Sequence, residues 1–115
     1  MANHKKAWDH IKSKEDLGKI IDESVVKPQI IFKHSTSCGI SAYAYEKLAE
    51  GAGLLEEKAD FNYLDLLTYR SVSNYIADVL KVLHQSPQII VLKDKKVVLT
   101  LSHSSIQVDK ILSSL

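Results

Sequence analysis

Hydrophobic positions along the chain alternate between helical spacing and short continuous runs. Apolar residues at helical spacing predict helices from Ser13 to just before Pro28, over about 40–49, over about 71–84, and after a cap at Ser104 or Ser105. Continuous apolar runs rich in β-branched residues predict strands over 29–34, 61–67, 88–92 and 97–101. Residues 1–12 show no clear period, so their secondary structure is left open.

The order of these elements predicts an α/β fold. Strands and helices alternate until a hairpin and a closing helix end the chain, which implies a central four-stranded mixed sheet with helices on both faces. The hairpin turn is predicted at the lysine-rich segment 93–96, as a solvated tip. We predict a single domain over residues 1–115, with residues 1–12 as an N-terminal extension.

Composition and charge narrow the class of protein. The 115 residues are 45% hydrophobic and carry a formal net charge of +1, which is ordinary for a soluble globular domain and provides no basic excess for nucleic acid. The N-terminus has no hydrophobic signal core, and no apolar stretch reaches membrane-spanning length. We therefore predict a cytoplasmic protein without nucleic-acid or membrane partners. The histidines lack metal-ligand spacing, so no metal site is predicted.

The only cysteine, Cys38, lies between a predicted strand and a predicted helix. Unpaired backbone N–H groups and the positive end of the helix dipole favour a thiolate at such a position, which makes Cys38 a candidate nucleophile. The alternative is that this lone cysteine is a small buried hydrophobic residue. One cysteine cannot form an internal disulfide, so the fold does not depend on an oxidising compartment.

The segment around Cys38 resembles a known family. Residues Phe32–Ser41, with the sequence FKHSTSCGIS, are similar to the signature of the monothiol bacilliredoxins of the YtxJ type. The likeness extends to the chain length, to Trp8 and to the order of elements. It implies a thioredoxin-like fold, with a cis-proline at Ser86-Pro87-Gln88 opposite Cys38. It also implies that the single cysteine removes bacillithiol from mixed disulfides on client proteins.

This resemblance implies a division of roles between Cys38 and Ser41. Cys38 would be the nucleophile, and Ser41 occupies the position of the resolving cysteine in a Cys-x-x-Cys pair. A hydroxyl can hydrogen-bond a thiolate but cannot attack sulfur, so a mixed disulfide on Cys38 must wait for an external thiol. We therefore expect no bound cofactor, bacillithiol as thiol co-substrate, and bacillithiolated client proteins and a low-molecular-weight thiol as partners.

Bacillithiol carries malate carboxylates and a glucosamine, which predicts a pocket with positive or donor groups. The substrate-binding candidates are His34, Ser37, Gly39, Pro87 and His103. Lys33 and Arg70 are weaker candidates, and because Lys33 and His34 point to opposite faces of one strand, the histidine nearer to Cys38 is preferred. Two alternatives stay open: His34 satisfies loop carbonyls, and His103 is an exposed capping-region residue.

Gly39 departs from the family's loop, which commonly has proline after the cysteine. Glycine does not supply the fixed φ of proline, so we expect a looser helix start. Cys-Gly-x-Ser also resembles the loop of monothiol glutaredoxins, so an iron–sulfur cluster binding protein is one alternative function. The glycine pair and Asp-rich motif that glutaredoxins use after the fourth strand are missing here. A redox-inert thioredoxin-like interaction domain is the other alternative, with a thiol pKa of about 8.5.

Overall fold

The computed structural model describes residues 8–35 and 39–115, which form one sheet flanked by helices. The strands are β1 (Trp8–His10), β2 (Gln29–His34), β3 (Asp60–Asp65), β4 (Gln88–Lys93) and β5 (Lys96–Ser102). The helices are α1 (Lys14–Glu23), α2 (Gly39–Glu50), α3 (Ala52–Lys58), α4 (Arg70–Leu80) and α5 (Val108–Ser114), and a short 3₁₀ helix spans His103–Ser105.

The sheet has the order β1-β3-β2-β4-β5. The pairs β1–β3 and β3–β2 are parallel, whereas β2–β4 and β4–β5 are antiparallel, which confirms a mixed sheet that ends in a hairpin. The predicted count of four strands is wrong, because β1 adds a fifth strand within residues 1–12. Trp8 fixes this strand to the sheet, since it is buried and its ring stacks on Phe61 at 4.4 Å between centroids.

Two hydrophobic layers cover the two faces of the sheet. All six residues of β2 are buried, so this central strand contributes to both layers. Ile30 and Phe32 pack with α2, α3 and α5, whereas Ile31 packs with α1 and α4. Side chains alternate along a strand, so Lys33 points toward the α4 layer and His34 toward the α2 layer. The prediction that these two side chains lie on opposite faces is confirmed by their contacts with α4 and α2, respectively.

The helix boundaries follow local capping chemistry. Ser13 caps α1 as predicted, because its hydroxyl accepts the Asp16 amide at 3.1 Å. Helix α4 ends at Leu80 rather than His84, since Lys81 adopts a left-handed conformation with φ of 58°. The helix predicted over about 40–49 corresponds to α2, and α3 follows at once after Gly51. This seven-residue helix was not predicted from the sequence.

The C-terminal helix begins later than the predicted serine cap. Ser105 closes the 3₁₀ helix instead, since its hydroxyl accepts the Ser102 amide at 3.0 Å and donates to the Ser102 carbonyl at 2.6 Å. Helix α5 then starts at Val108 after an extended Gln107. A serine at this point therefore orders the segment that leaves β5, and not the helix that follows it.

The hairpin tip is bonded to the end of α1. Asp94 and Lys95 form its two-residue turn, with φ of 53° and 67°. Both side chains are exposed, in agreement with the predicted solvated tip. Their backbone amides, however, donate to the Ser24 carbonyl at 2.9 Å and the Ser24 hydroxyl at 2.8 Å. The turn is therefore held against the body of the domain.

Gly51, between α2 and α3, is required by close packing against α5. A Cβ at this position would lie 2.7 Å from a methyl carbon of Val108, whereas a Cβ at Gly18 would meet nothing within 4 Å. We expect Gly51→Ala to lower the free energy of unfolding by about 1–3 kcal/mol, measured by urea denaturation. Gly18→Ala, in the exposed face of α1, should raise it by up to about 1 kcal/mol. Adding Val108→Ala should remove most of the Gly51→Ala penalty; equal penalties in both backgrounds would contradict this packing explanation.

Candidate active site

The candidate site surrounds the N-terminus of α2. The sequence-predicted residues Ser37 and Cys38 lie outside the described residues, and Gly39, which follows Cys38 in the sequence, is the first residue of the helix. Gly39 and Ile40 are exposed. The helix therefore begins where the sequence predicts, directly after the candidate nucleophile, with a small residue and an apolar one open to a partner.

Ser41 is wholly buried in the first turn of α2. Its hydroxyl accepts the backbone amide of Ser35 at 3.0 Å and lies 2.7 Å from Nδ1 of His34. The direction of the second bond depends on which ring nitrogen of His34 carries the proton. These bonds tie the end of β2 to the start of α2.

His34 is buried at the end of β2, where it is only 6% exposed. Burial lowers the pKa of His34, and this effect exceeds the opposing influence of the Asp65 carboxylate and of Ser41. The ring is therefore neutral at neutral pH. Its ring also lies 5.3 Å from Tyr45 and 5.6 Å from Tyr63, between centroids. His34 is thus a hydrogen-bonding group that supports Ser41, and it carries no positive charge for an anionic ligand.

Two grooves lie on opposite sides of the start of α2. The first, which we name the His103 groove, has a volume of about 410 Å³ and is lined by Gly39, Ile40, Tyr43, His103 and Ser104. The second, named the Tyr45 groove, also has a volume of about 410 Å³ and is lined by His34, Ala42, Tyr45, Glu46 and Tyr63. The first is largely apolar, whereas the second carries a carboxylate and two phenols.

Pro87 is hydrogen-bonded to a residue that lines the His103 groove. The Ser86–Pro87 peptide bond is cis, as the resemblance implied. The Pro87 carbonyl accepts the backbone amide of His103 at 3.1 Å. This bond joins the segment before β4 to the segment after β5. Among the sequence-predicted residues, Gly39, Pro87 and His103 are therefore brought to one side of α2, whereas His34 lies on the other side.

The weaker candidates lie away from both grooves. Lys33 is wholly buried on the α4 face of the sheet, and Arg70 is the first residue of α4. The groove residues Tyr43, Tyr45, Glu46 and Tyr63 were not assigned to the site from the sequence. Their spacing could have predicted part of this arrangement, because positions 40 and 43 share one side of a helix and positions 42, 45 and 46 share the other.

Within residues 8–35 and 39–115, no group of three or more histidine, cysteine, aspartate or glutamate residues could hold a metal ion. No helix in this part of the chain is long and apolar enough to cross a membrane.

Comparison with known families identifies the chain. A sequence model described as "Monothiol bacilliredoxin BrxC" matches residues 9–111. The chain belongs to this bacilliredoxin family. The match includes Cys38 and every residue that lines the two grooves. This bacilliredoxin is therefore a thiol-disulfide oxidoreductase, as the resemblance implied.

Solved structures share the bacilliredoxin's fold over nearly its whole length. A protein described as a candidate oxidoreductase with a thioredoxin fold is 28% identical, with a TM-score of 0.83 over 99% of this chain and 98% of that one. Mitochondrial thioredoxin 3 from Saccharomyces cerevisiae is 14% identical, with a TM-score of 0.76 over 99% and 100% of the two chains. Fasciola hepatica thioredoxin is 20% identical, with a TM-score of 0.71 over 92% and 94%. The thioredoxin-like fold of this bacilliredoxin is thereby confirmed.

Proposed function

We propose that this bacilliredoxin removes bacillithiol from mixed disulfides on client proteins, with Cys38 as the nucleophile. The observation that carries the proposal is the position of Ser41 three residues after the only cysteine. Its buried hydroxyl bonds to His34 and Ser35, so the place of a resolving thiol is occupied by a group that joins the end of β2 to the start of α2. The family match supports monothiol chemistry of this kind.

The cycle consists of two thiol-disulfide exchanges. The Cys38 thiolate attacks the bacillithiol sulfur of a modified client. The client's disulfide bond breaks, a new bond joins Cys38 to bacillithiol, and the client sulfur leaves as a thiolate that takes a proton from solvent. The thiolate of a second bacillithiol molecule then attacks the bacillithiol sulfur on Cys38. This step regenerates the Cys38 thiolate and releases the disulfide of two bacillithiol molecules, so the client is reduced at the expense of bacillithiol.

The two grooves suggest how both partners of the exchange reach one residue. The His103 groove provides exposed apolar surface at Ile40 and Tyr43 for a client segment. Gly39, Pro87 and His103 are proposed contacts on that side, and His34 on the other, with Ser37 completing the predicted set. Bacillithiol is proposed as a co-substrate rather than a bound cofactor. We also propose that the protein works in the cytoplasm, where free thiols stay reduced.

Intact mass spectrometry tests the proposal. Reduced protein is incubated with a bacillithiolated client, and separately with oxidised bacillithiol. We expect wild type to gain the mass of one bacillithiol while the client loses it, because the mixed disulfide moves to Cys38. Cys38→Ala should gain no mass and leave the client modified.

A wild-type protein that takes up no bacillithiol and leaves its client modified would contradict the proposed function. An equal response to glutathione would retain the exchange chemistry but remove the preference for bacillithiol. Iron–sulfur reconstitution under anaerobic conditions separates the alternative function, because a protein that holds a cluster becomes coloured.

A further inference from the structure

Lys33 is a buried cation that the proposed exchange does not use. Its side chain has no solvent exposure, and Nζ donates to the Ser73 carbonyl at 3.2 Å and lies 3.4 Å from Nδ1 of His84. No carboxylate among the described residues lies within ion-pairing distance of it. A lysine is rarely buried without a counter-charge, because transfer of the ammonium out of water opposes folding.

The electrostatics of this position are unfavourable to the charge. Burial lowers the pKa of Lys33 to about 8. The pKa of His84 is also lowered, first by burial and then by the nearby positive charges of Lys33 and Arg70. An apolar side chain of similar length would fill the same space without this cost. Packing alone therefore does not explain a lysine at position 33. What distinguishes it from an apolar residue of similar length is its hydrogen bonds to Ser73 and His84.

These hydrogen bonds hold the connection between α4 and β4, residues 81–87. Lys33 bonds to His84 within it. Gln88 opposes Lys33 in the β2–β4 pair, so both side chains lie on the same face, and its Nε2 donates to the Leu83 carbonyl at 3.0 Å. The neighbouring side chains of Lys33 and Gln88 thus bind the connection at two consecutive residues, His84 and Leu83.

The same connection leads directly to the candidate site. It ends in the cis Ser86–Pro87 bond, and the Pro87 carbonyl accepts the amide of His103, which lines the His103 groove. Lys33 therefore contacts His84, the chain runs from His84 to Pro87, and Pro87 in turn bonds to His103.

Three side-chain oxygens on the elements near Lys33 lack a hydrogen-bond partner among the described residues. These are Ser73 Oγ, Ser86 Oγ and Gln88 Oε1, all of them buried. They lie on α4, on the connection and on β4, the elements that the Lys33 side chain approaches. The Lys33 ammonium has three N–H donors, and its bonds go to the Ser73 carbonyl and to His84 rather than to these oxygens.

We propose that Lys33 is a positioning residue, which holds the 81–87 connection from the α4 face of the sheet and thereby positions Pro87, whose carbonyl bonds to His103 of the His103 groove. Lys33 does not touch the substrate in this proposal. Its effect on client binding rests on the proposed function, whereas its effect on the backbone near Pro87 does not.

Lys33→Met tests the proposal, with the exposed Lys96→Met as the matched control. The first measurement is amide hydrogen exchange at His103, whose N–H is bonded to Pro87. We expect about tenfold faster exchange in Lys33→Met, with the β2 and β4 amides unchanged and a melting temperature no lower than wild type. The second is steady-state kinetics with a bacillithiolated client, where KM should rise about tenfold while kcat changes little.

His84 provides a second pair of variants. His84→Asn keeps an acceptor for the Lys33 ammonium and should behave as wild type, whereas His84→Leu should reproduce the faster His103 exchange and the higher KM. This pair decides the question if Lys33→Met does not fold. Unchanged His103 exchange and unchanged KM in the folded variants would overturn the proposal. A wild type that does not act on the client would overturn only the proposed function, because His103 exchange still judges the role of Lys33.

Discussion

Ser41→Cys is expected to convert the protein from monothiol to dithiol exchange. A thiol in the first turn of α2 would attack the Cys38 mixed disulfide from within the molecule, at least about a hundredfold faster than a millimolar external thiol. The bacillithiol adduct should therefore not accumulate. Intact mass should show a chain lighter than the reduced protein by two hydrogens, since an internal disulfide replaces the adduct.

The same substitution should cost stability, which makes Ser41→Ala the necessary control. Both variants remove the hydroxyl that bonds to His34 and Ser35, so each should lose about 1–3 kcal/mol of unfolding free energy. Only Ser41→Cys should lose the adduct. Persistence of the adduct in Ser41→Cys at the wild-type level would show that the position three residues after Cys38 cannot resolve its disulfide.

Folding stability is expected to rise by about 2 kcal/mol between pH 8 and pH 10 because of Lys33. The folded-state pKa of about 8 lies below the value of 10.5 for an exposed lysine. Between these values the unfolded chain binds more protons than the folded one, so stability increases with pH. Urea denaturation at a series of pH values measures this slope.

Tyr63 sets the upper pH limit of this rise in stability. Burial, with the Asp65 and Tyr45 charges, raises its pKa to about 12 from the ordinary 10.0, so the unfolded chain loses this proton first and stability falls above pH 10. Lys33→Met should flatten the rise between pH 8 and pH 10 and keep the fall above it, whereas Lys96→Met should keep both. A wild-type curve without the rise would mean that Lys33 keeps an ordinary lysine pKa in the folded protein, as a solvated ammonium does.

The strands with continuous apolar runs could be predicted from the sequence, because burial on both faces leaves a composition that few other elements share. β2 and β4 are of this kind, and their boundaries differ from prediction by one residue at most. β5 is an edge strand without a fully buried residue, but its apolar run still predicted each end to within one residue. β1 could not be predicted, since three residues are too few to show alternation. Its order depends on Trp8 stacking against Phe61, a contact between residues far apart in sequence.

In the candidate site, too, features set by local sequence could be predicted, and features set by contacts between distant residues could not. The position of Gly39 at a helix start and the opposite directions of Lys33 and His34 follow from local periodicity. The cis Ser86–Pro87 bond followed from the family resemblance. The grooves could not be predicted, because each requires α2 to pack beside a segment that is distant in sequence, namely His103–Ser104 for one and Tyr63 for the other. The early end of α4 could not be predicted either, because the left-handed residue there is Lys81 and not a glycine or asparagine, which usually mark such ends.

The single tryptophan of this chain offers an optical signal from the site. Trp8 lies in the edge strand, but its ring is 5.2 Å from Tyr45 of α2, and Tyr45 is in turn 5.3 Å from His34. A change in the packing of α2 when Cys38 is modified would reach the indole through these rings. The emission of one native fluorophore can therefore report the thiol state of the protein in real time, without a label.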